Sequence, residues 1–317
     1  MLKMRFLTED FALARQALTH WTHDDATLTE RMQWFRISSN AVYPFDDAQG
    51  RLCFLRLSPA EEKDKGELLG ELDFLQYLRE AGYPALRPIP ADNGGWLLSI
   101  DVPGGCWYAS AFTGVPGQPL EDIPMTDDLA TAYGAALGRL HALSMAYTPP
   151  MRRRTHLDVL AWAERTLLAC GAPPVLAPIC RDTAQQLAAL PQTRNSYGLV
   201  HYDFEPDNVF WDGETCHVID FEDGMLHFYA IDVVQALDEI TPAHHASFMA
   251  GYRGACPESE VQEATFPLMR RFRDLYSCAR LQHCLSETPD PQPAWMPPLI
   301  ARLRARGDEL LQRLCGG

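Results

Sequence analysis

The sequence predicts an α+β protein of two unequal lobes, a small antiparallel-sheet lobe followed by a larger, mostly helical one. Three observations carry this. Alternating, strand-like segments crowd into the first third of the chain. From residue 127 onward apolar residues recur at helical spacing. A Gly/Pro-rich stretch, Thr113-Gly-Val-Pro-Gly117, separates the two regimes. The expected limits are 1–112 for the small lobe, 113–117 for the connector and 118–317 for the large lobe, with a cleft between the lobes.

The small lobe reads in order as follows. Phe11, Leu13, Ala14, Ala17 and Leu18 mark a short amphipathic helix over roughly 8–20. Strand-like Met32–Ile37 leads through Ser38-Ser39-Asn40 into Ala41–Phe45, and Asp46–Gly50 supplies turn chemistry before the alternating Arg51–Leu57. These three segments form an antiparallel meander. Glu61–Glu67 open a helix carrying Leu68, Leu72, Leu75 and Leu78, which stops near Gly82 ahead of Pro84. Two more strands follow, Trp96–Ile100 and Cys106–Phe112. In the large lobe Asp127-Asp128 caps a helix bearing Leu129, Tyr133, Leu137, Leu140 and Leu143. Further helices are expected at 157–170 and 178–190, and Pro289–Pro298 is a loop before the last helix.

Composition excludes several functions. Asp+Glu number 42 against 27 Lys+Arg, a formal charge of −15, so a broad basic face for nucleic acid or anionic lipid is not expected. Lys3, Lys63 and Lys65 are the only lysines, which leaves 24 arginines and no Gly-Lys-Ser/Thr phosphate loop. The nine cysteines are odd in number and form no C-x-x-C pair, which reads as reduced thiols of a cytoplasmic protein. The first residues include Glu9 and Asp10 and no sustained apolar run, so no signal peptide is expected. No window approaches 18 uncharged apolar residues, so no membrane partner is expected.

The chemistry concentrates in residues 199–223. Asp212-Gly213 between two apolar runs predicts a hairpin of Asn208–Trp211 and Cys216–Ile219. That hairpin sets Asn208, at the start of one strand, beside Asp220, at the end of the other, with Asp203 just upstream. Three oxygen-bearing side chains then converge, a donor set suited to Mg²⁺ that keeps a nucleotide phosphate in its shell. His201-x-Asp203-x-x-x-x-Asn208, followed twelve residues later by Asp220-Phe221, has the spacing of a kinase catalytic loop and metal aspartate. In that template Asp203 orients the acceptor hydroxyl and takes its proton, Asn208 and Asp220 hold metal, and His201 braces the loop.

Leu199 to Leu237 resembles the superfamily of aminoglycoside phosphotransferases, choline kinases and type II homoserine kinases, whose loop usually has glycine where Tyr202 stands. Leu137-Gly-Arg-Leu-His141, Tyr229-Ala-Ile-Asp232 and Phe248-Met-Ala-Gly-Tyr252 are similar to its large-lobe helices, and most of residues 35–285 is covered. The small lobe is most similar to the bacterial stress-response and spore-coat kinases. The resemblance implies a protein-kinase-like fold and an ATP- and Mg²⁺-dependent kinase acting on a hydroxyl. It places the hinge at Phe112 to Gly117, with adenine against the backbone of Phe112, Thr113, Gly114 and Val115. It places a phosphate-positioning pair at Arg56 and Glu71, arginine standing where lysine is usual. Ser38 and Ser39 fall where a Gly-rich phosphate-covering loop would lie. Asp232 braces the large lobe.

Tyr202 at a glycine position implies either backbone strain of roughly 1 kcal/mol or a ring turned toward the acceptor. Glu205, Asp207, Glu222 and Asp223 add acid to the same region, and Tyr202, Glu205, Asp207 and Glu222 stand as acceptor-site candidates. The expected acceptor is a small cationic or zwitterionic molecule with a hydroxyl. A protein Ser/Thr acceptor, a non-catalytic pseudokinase and nucleotidyl transfer remain as alternatives.

Overall fold

The computed structural model describes residues 1–7 and 10–315. Thr8 and Glu9, where the first helix was expected to begin, lie outside the described residues. Helix α1 (Phe11–Leu18) starts at Asp10, whose carboxylate accepts from the amide of Leu13 at 2.9 Å. Helix α2 (Asp25–Arg31) is capped in the same way by Asp24. Both pack on a sheet of β1 (Arg36–Ile37), β2 (Ala41–Asp46) and β3 (Leu52–Pro59). The strand expected over 32–37 shrinks to its last two residues. Helix α2 runs into a tight turn at Met32–Trp34, which buries Met32 and leaves Trp34 exposed, so the alternation there is that of a turn.

Helix α3 (Lys65–Glu80) begins four residues later than Glu61, because Asp64 is the cap and the acids before it are used in ion pairs. Then come β4 (Arg87–Ile89), β5 (Leu98–Val102) and β6 (Gly105–Thr113). The small sheet runs β1-β2-β3-β6-β4 with β5 also on β6, and every pairing is antiparallel. One face buries Tyr43, Phe45, Leu55 and Leu57 against Leu13, Leu18 and Leu28 of the first two helices.

Strand β7 (Gln118–Pro119) precedes the helices α4 (Asp127–Ala146), α5 (His156–Ala169) and α6 (Leu176–Ala188). Thr126, not Asp127, caps α4; its hydroxyl accepts from Leu129 N at 3.2 Å, while Asp127 and Asp128 favour the positive end of the helix dipole. After β8 (Tyr197–Val200) the expected hairpin forms as β9 (Val209–Trp211) and β10 (Cys216–Val218). Asp212 accepts from the amides of Glu214 and Thr215, and Gly213 has φ +104°. Strand β11 (Met225–Phe228) pairs with β8, and helices α7 (Ala230–Asp238), α8 (His245–Ala255), α9 (Phe266–Leu285) and α10 (Met296–Cys315) complete the large lobe. The fold is the expected two-lobed α+β arrangement. Among the described residues no helix is long and apolar enough to cross a membrane.

The lobes are joined by more than the connector. Between α3 and β4, Leu86 N donates to Val218 O at 2.8 Å and Val218 N donates to Pro84 O at 2.9 Å. The small lobe thereby lends a strand-like segment to β10. Leu72, Phe74, Leu75, Leu78 and Tyr83 belong to the same core as the large-lobe helices.

Helices α4 and α8 approach so closely that a Cβ on Gly251 would run into the carbonyl of Thr131, and one on Gly134 into that of Phe248. A Cβ on Gly254, on the same helix as Gly251, would meet nothing within 4 Å among the described residues. Gly251→Ala should therefore destabilise by about 1–3 kcal/mol through overpacking, whereas Gly254→Ala should be neutral or stabilising by up to ~1 kcal/mol. Urea midpoints of the two variants test this.

Candidate active site

Strands β8 and β11 set Val200 opposite Met225, so the segments leaving one and entering the other begin side by side. The β9–β10 hairpin returns the chain, and Ile219 N donates to Asn208 O at 3.0 Å. Asp203, Asn208 and Asp220 are thus gathered by two short pairings. Asn208 donates from Nδ2 to both the backbone O and Oδ2 of Asp203, at 3.0 and 2.9 Å.

His201 is fully buried. Its Nδ1 accepts from Asp203 N at 3.1 Å and its Nε2 donates to Ile219 O at 2.9 Å. Burial lowers its pKa, with Asp232 opposing, so the neutral ring ties the two loops together. Asp232, also fully buried, accepts from the amides of His201 and Tyr202, both at 2.8 Å, and from His141 Nε2 at 3.1 Å.

The backbone at Tyr202 is left-handed, with φ +67°. Its ring packs into the large lobe. It is only 3% exposed and stands between Phe272 and Tyr276, with centroids at 6.0 and 5.4 Å. The bonds to Asp232 and from Gln235 Nε2 to the Tyr202 carbonyl hold the strained conformation. Asp220 is left-handed too, at φ +62°.

Burial, then Asp220, Asp223 and Glu205, push the Asp203 carboxyl well above the usual range, and Arg280 opposes them. Burial and Glu222 push Asp220 up to about 7, with Arg56 opposing. Glu222 and Asp223 go the other way. Against the upward push of burial, Lys63 and Arg56 hold Glu222 low, and Arg280 and Arg154 hold Asp223 low. Asp203 and Asp220 therefore lack enough positive charge. Asp220 and the Asn208 oxygen, with Asp203 beside them, fit a hard divalent cation. Among the described residues no three His, Cys, Asp or Glu side chains form a metal site by themselves, so such a cation would draw its other ligands from phosphate and water.

Arg56 and Glu71 are paired in a buried fork, Nη1–Oε1 at 2.8 Å and Nη2–Oε2 at 2.7 Å. The guanidinium lies 4.8 Å over the ring of Phe112, and among the described residues its Nε has no hydrogen-bond partner. Phe112 and Thr113 end β6, and Gly114 N donates to Leu52 O at 2.8 Å before Val115 leaves the sheet. Ser38 and Ser39 form the β1–β2 turn, which is tied to the large lobe: Arg280 Nη2 donates to Ser39 Oγ at 3.2 Å, and Asn40 Nδ2 to Glu222.

The acidic candidates divide. Glu205 and Asp207 line a cleft of about 380 Å³ with Glu121, Glu239, Leu120, Ile123, Met125 and Ile240. Glu222 is not part of it; its side chain is 4% exposed and is held by Asn40 and by Lys63 at 3.2 Å. Tyr202 and Glu222, both expected at the acceptor, are thus buried, one in core packing and the other in ion pairing under the turn.

Sequence reasoning missed the arginines that organise the site. Arg154 and Arg280 reach Asp223 at 3.1 and 2.7 Å, and Arg153 bonds the carbonyls of Gly224 and Glu67, linking α3 to the segment after Asp220. The one available signal was the run Arg152-Arg153-Arg154 in an acidic chain; nothing in the spacing singled out Arg280.

Comparison with known proteins adds the family. The model of the "Phosphotransferase enzyme family" matches residues 37–259. The chain belongs to this phosphotransferase family. Its fold is protein-kinase-like, and membership makes it a kinase that phosphorylates a hydroxyl group. Amicoumacin kinase of Bacillus subtilis is 23% identical over 226 residues, 67% of this chain and 66% of its own length. Homoserine kinase of Caulobacter vibrioides is 28% identical over 254 residues, covering 73% and 74%. The structure of an amicoumacin kinase with AMP-PNP, Ca²⁺ and Ami superposes with a TM-score of 0.72 at 19% identity, covering 95% of this chain and 94% of that one.

Glu71→Ala would leave the Arg56 charge buried and unpaired. The expected loss is about 3–5 kcal/mol, read from denaturant unfolding, and Arg56→Met with Glu71→Leu should recover part of it.

Proposed function

We propose that this phosphotransferase moves the γ-phosphate of ATP, with Mg²⁺, to the hydroxyl of a small amine-bearing molecule. The observation that carries this is the joining of Asp203 to Asn208 beside Asp220, whose carboxyl feels the Arg56 of the Arg56–Glu71 fork. Asp203 orients the acceptor hydroxyl and accepts its proton, a task suited to a carboxylate whose proton affinity is raised. Bound Mg²⁺ would neutralise the charge of the triphosphate, with Asn208 and Asp220 as its protein ligands. Arg56, positioned by Glu71, and the turn at Ser38 and Ser39 face the phosphates. Phe112, Thr113 and Val115 present backbone to the base. Catalysis is then mostly positioning and charge neutralisation. Residues 1–112, 113–117 and 118–317 serve as nucleotide-covering lobe, hinge and acceptor-binding lobe.

The acidic cleft supports a cationic acceptor. Burial, then Glu239 and Asp207, raise the Glu205 pKa, so this carboxylate gains from an arriving ammonium group. The apolar neighbours Leu120, Ile123, Met125 and Ile240 suit a carbon skeleton between amine and hydroxyl. The nine cysteines are all unpaired, which supports a reducing, cytoplasmic setting.

Two experiments test the reading. Asp203→Ala should keep the Mg²⁺-dependent thermal shift with ATP but lose transfer by about 10²-fold or more, while Asp220→Ala should lose the shift. Wild-type turnover in the Asp203 variant would refute the mechanism. In a panel of hydroxyl acceptors followed by ADP release, Glu205→Gln with Glu239→Gln should raise KM for amine-bearing acceptors by roughly tenfold and leave KM for ATP unchanged. Equal KM values in the two proteins would refute the cationic acceptor.

A further inference from the structure

Arg280 is the cation that the reading above leaves without a task. It projects from α9, 77 residues beyond Asp203 in sequence, and meets the site from the large lobe. Nη1 lies 2.7 Å from Asp223 Oδ2, and Nη2 donates to Ser39 Oγ at 3.2 Å across the cleft. The guanidinium rests on the Tyr276 ring, 5.3 Å from its centroid. Its side chain is 19% exposed, so it is buttressed yet not sealed from solvent.

The remaining cations of the site already have a partner or, for Arg56, a task at the phosphates. Arg56 is held in the fork with Glu71, Lys63 is held by Glu222, and Arg154 bonds Asp223 and Tyr276. The bonds of Arg280 to Asp223 and Ser39 use two of its five N–H donors. It stands between the turn that covers the phosphates and the acid that takes the proton, and it is the cation that pulls on Asp203. That turn contains no glycine, so its backbone amides cannot approach a phosphate as closely as a Gly-rich loop allows.

We propose that Arg280 contacts the phosphoryl group in flight and neutralises the charge that the glycine-free turn does not reach. In that step the bond between the γ-phosphorus and the β,γ-bridging oxygen breaks, and a bond from the acceptor oxygen to phosphorus forms. The acceptor proton passes to Asp203 and ADP leaves. Arg280 neither gains nor loses a proton; its planar fork matches the equatorial oxygens of the transferring group. The assignment rests on the kinase reading and concerns the transition state, so it predicts a split between ground-state and transition-state binding.

The test compares wild type, Arg280→Gln and Arg280→Lys by calorimetric titration with Mg·AMP-PNP and with Mg·ADP plus aluminium fluoride, a mimic of the transferring group. Binding of AMP-PNP should change by less than about threefold, while affinity for the aluminium fluoride complex and kcat should each fall by about 10²-fold. Arg280→Lys should recover little, because a point charge cannot replace the fork. If Asp223 without its second arginine unfolds the Gln variant, Arg280→Gln with Asp223→Asn carries the same comparison. Equal affinities of wild type and variants for the aluminium fluoride complex would overturn the assignment while leaving the kinase reading intact. A wild-type protein that binds neither nucleotide complex would overturn both.

Discussion

The site depends on one buried carboxylate. Asp232 receives the amides of His201 and Tyr202 and the imidazole of His141, with no access to water. An isolated charge at that depth would be very costly, and three donors make it tolerable. In return the carboxylate fixes two successive peptide planes, including the left-handed one at Tyr202. The direction in which Asp203 leaves the loop follows from those planes. His141 extends the brace to Tyr252, whose hydroxyl is 2.9 Å from Nδ1, so the glycine-lined contact of α4 with α8 also supports the loop.

Electrostatics then sorts the acids by their neighbours. Asp203 and Asp220 are left short of positive charge, while Glu222 and Asp223 have lysine and arginine at hand. Four carboxylates of one short stretch, residues 203–223, thereby acquire two different characters. Those with raised proton affinity face the proposed chemistry. Those held ionised fasten the turn of the small lobe and the helix α9 to the same segment.

Much of this was legible in the sequence because it is local. The hairpin, its turn residues and the oxygen donors all lie within residues 199–223, and the hairpin formed within a residue of its expected limits. Arg56 and Glu71 were legible as a strand and helix pair. What escaped has a common physical cause. The side-chain directions of Tyr202 and Glu222 are set by partners far away, Phe272 and Tyr276 in one case and Asn40 and Lys63 in the other. Arg153, Arg154 and Arg280 act across more than 55 residues of chain, and no periodicity encodes such a contact. The short strand β4 was missed for want of length, and its neighbours Pro84 to Leu86 because their pairing partner lies in the other lobe.

That last pairing has a mechanical meaning. Residues 84–86 are bonded to Val218, two positions before Asp220, so the lobes share a seam at the back of the cleft. Rotation of one lobe against the other would turn about this fulcrum. Asp220 lies two positions from this seam, while Ser39 and Asn40 reach the large lobe through side-chain bonds alone, to Arg280 and Glu222. The backbone seam beside the acids is therefore the firmer of the two joints, and the side-chain bonds at the rim are the ones that can be broken and remade without unpairing a strand.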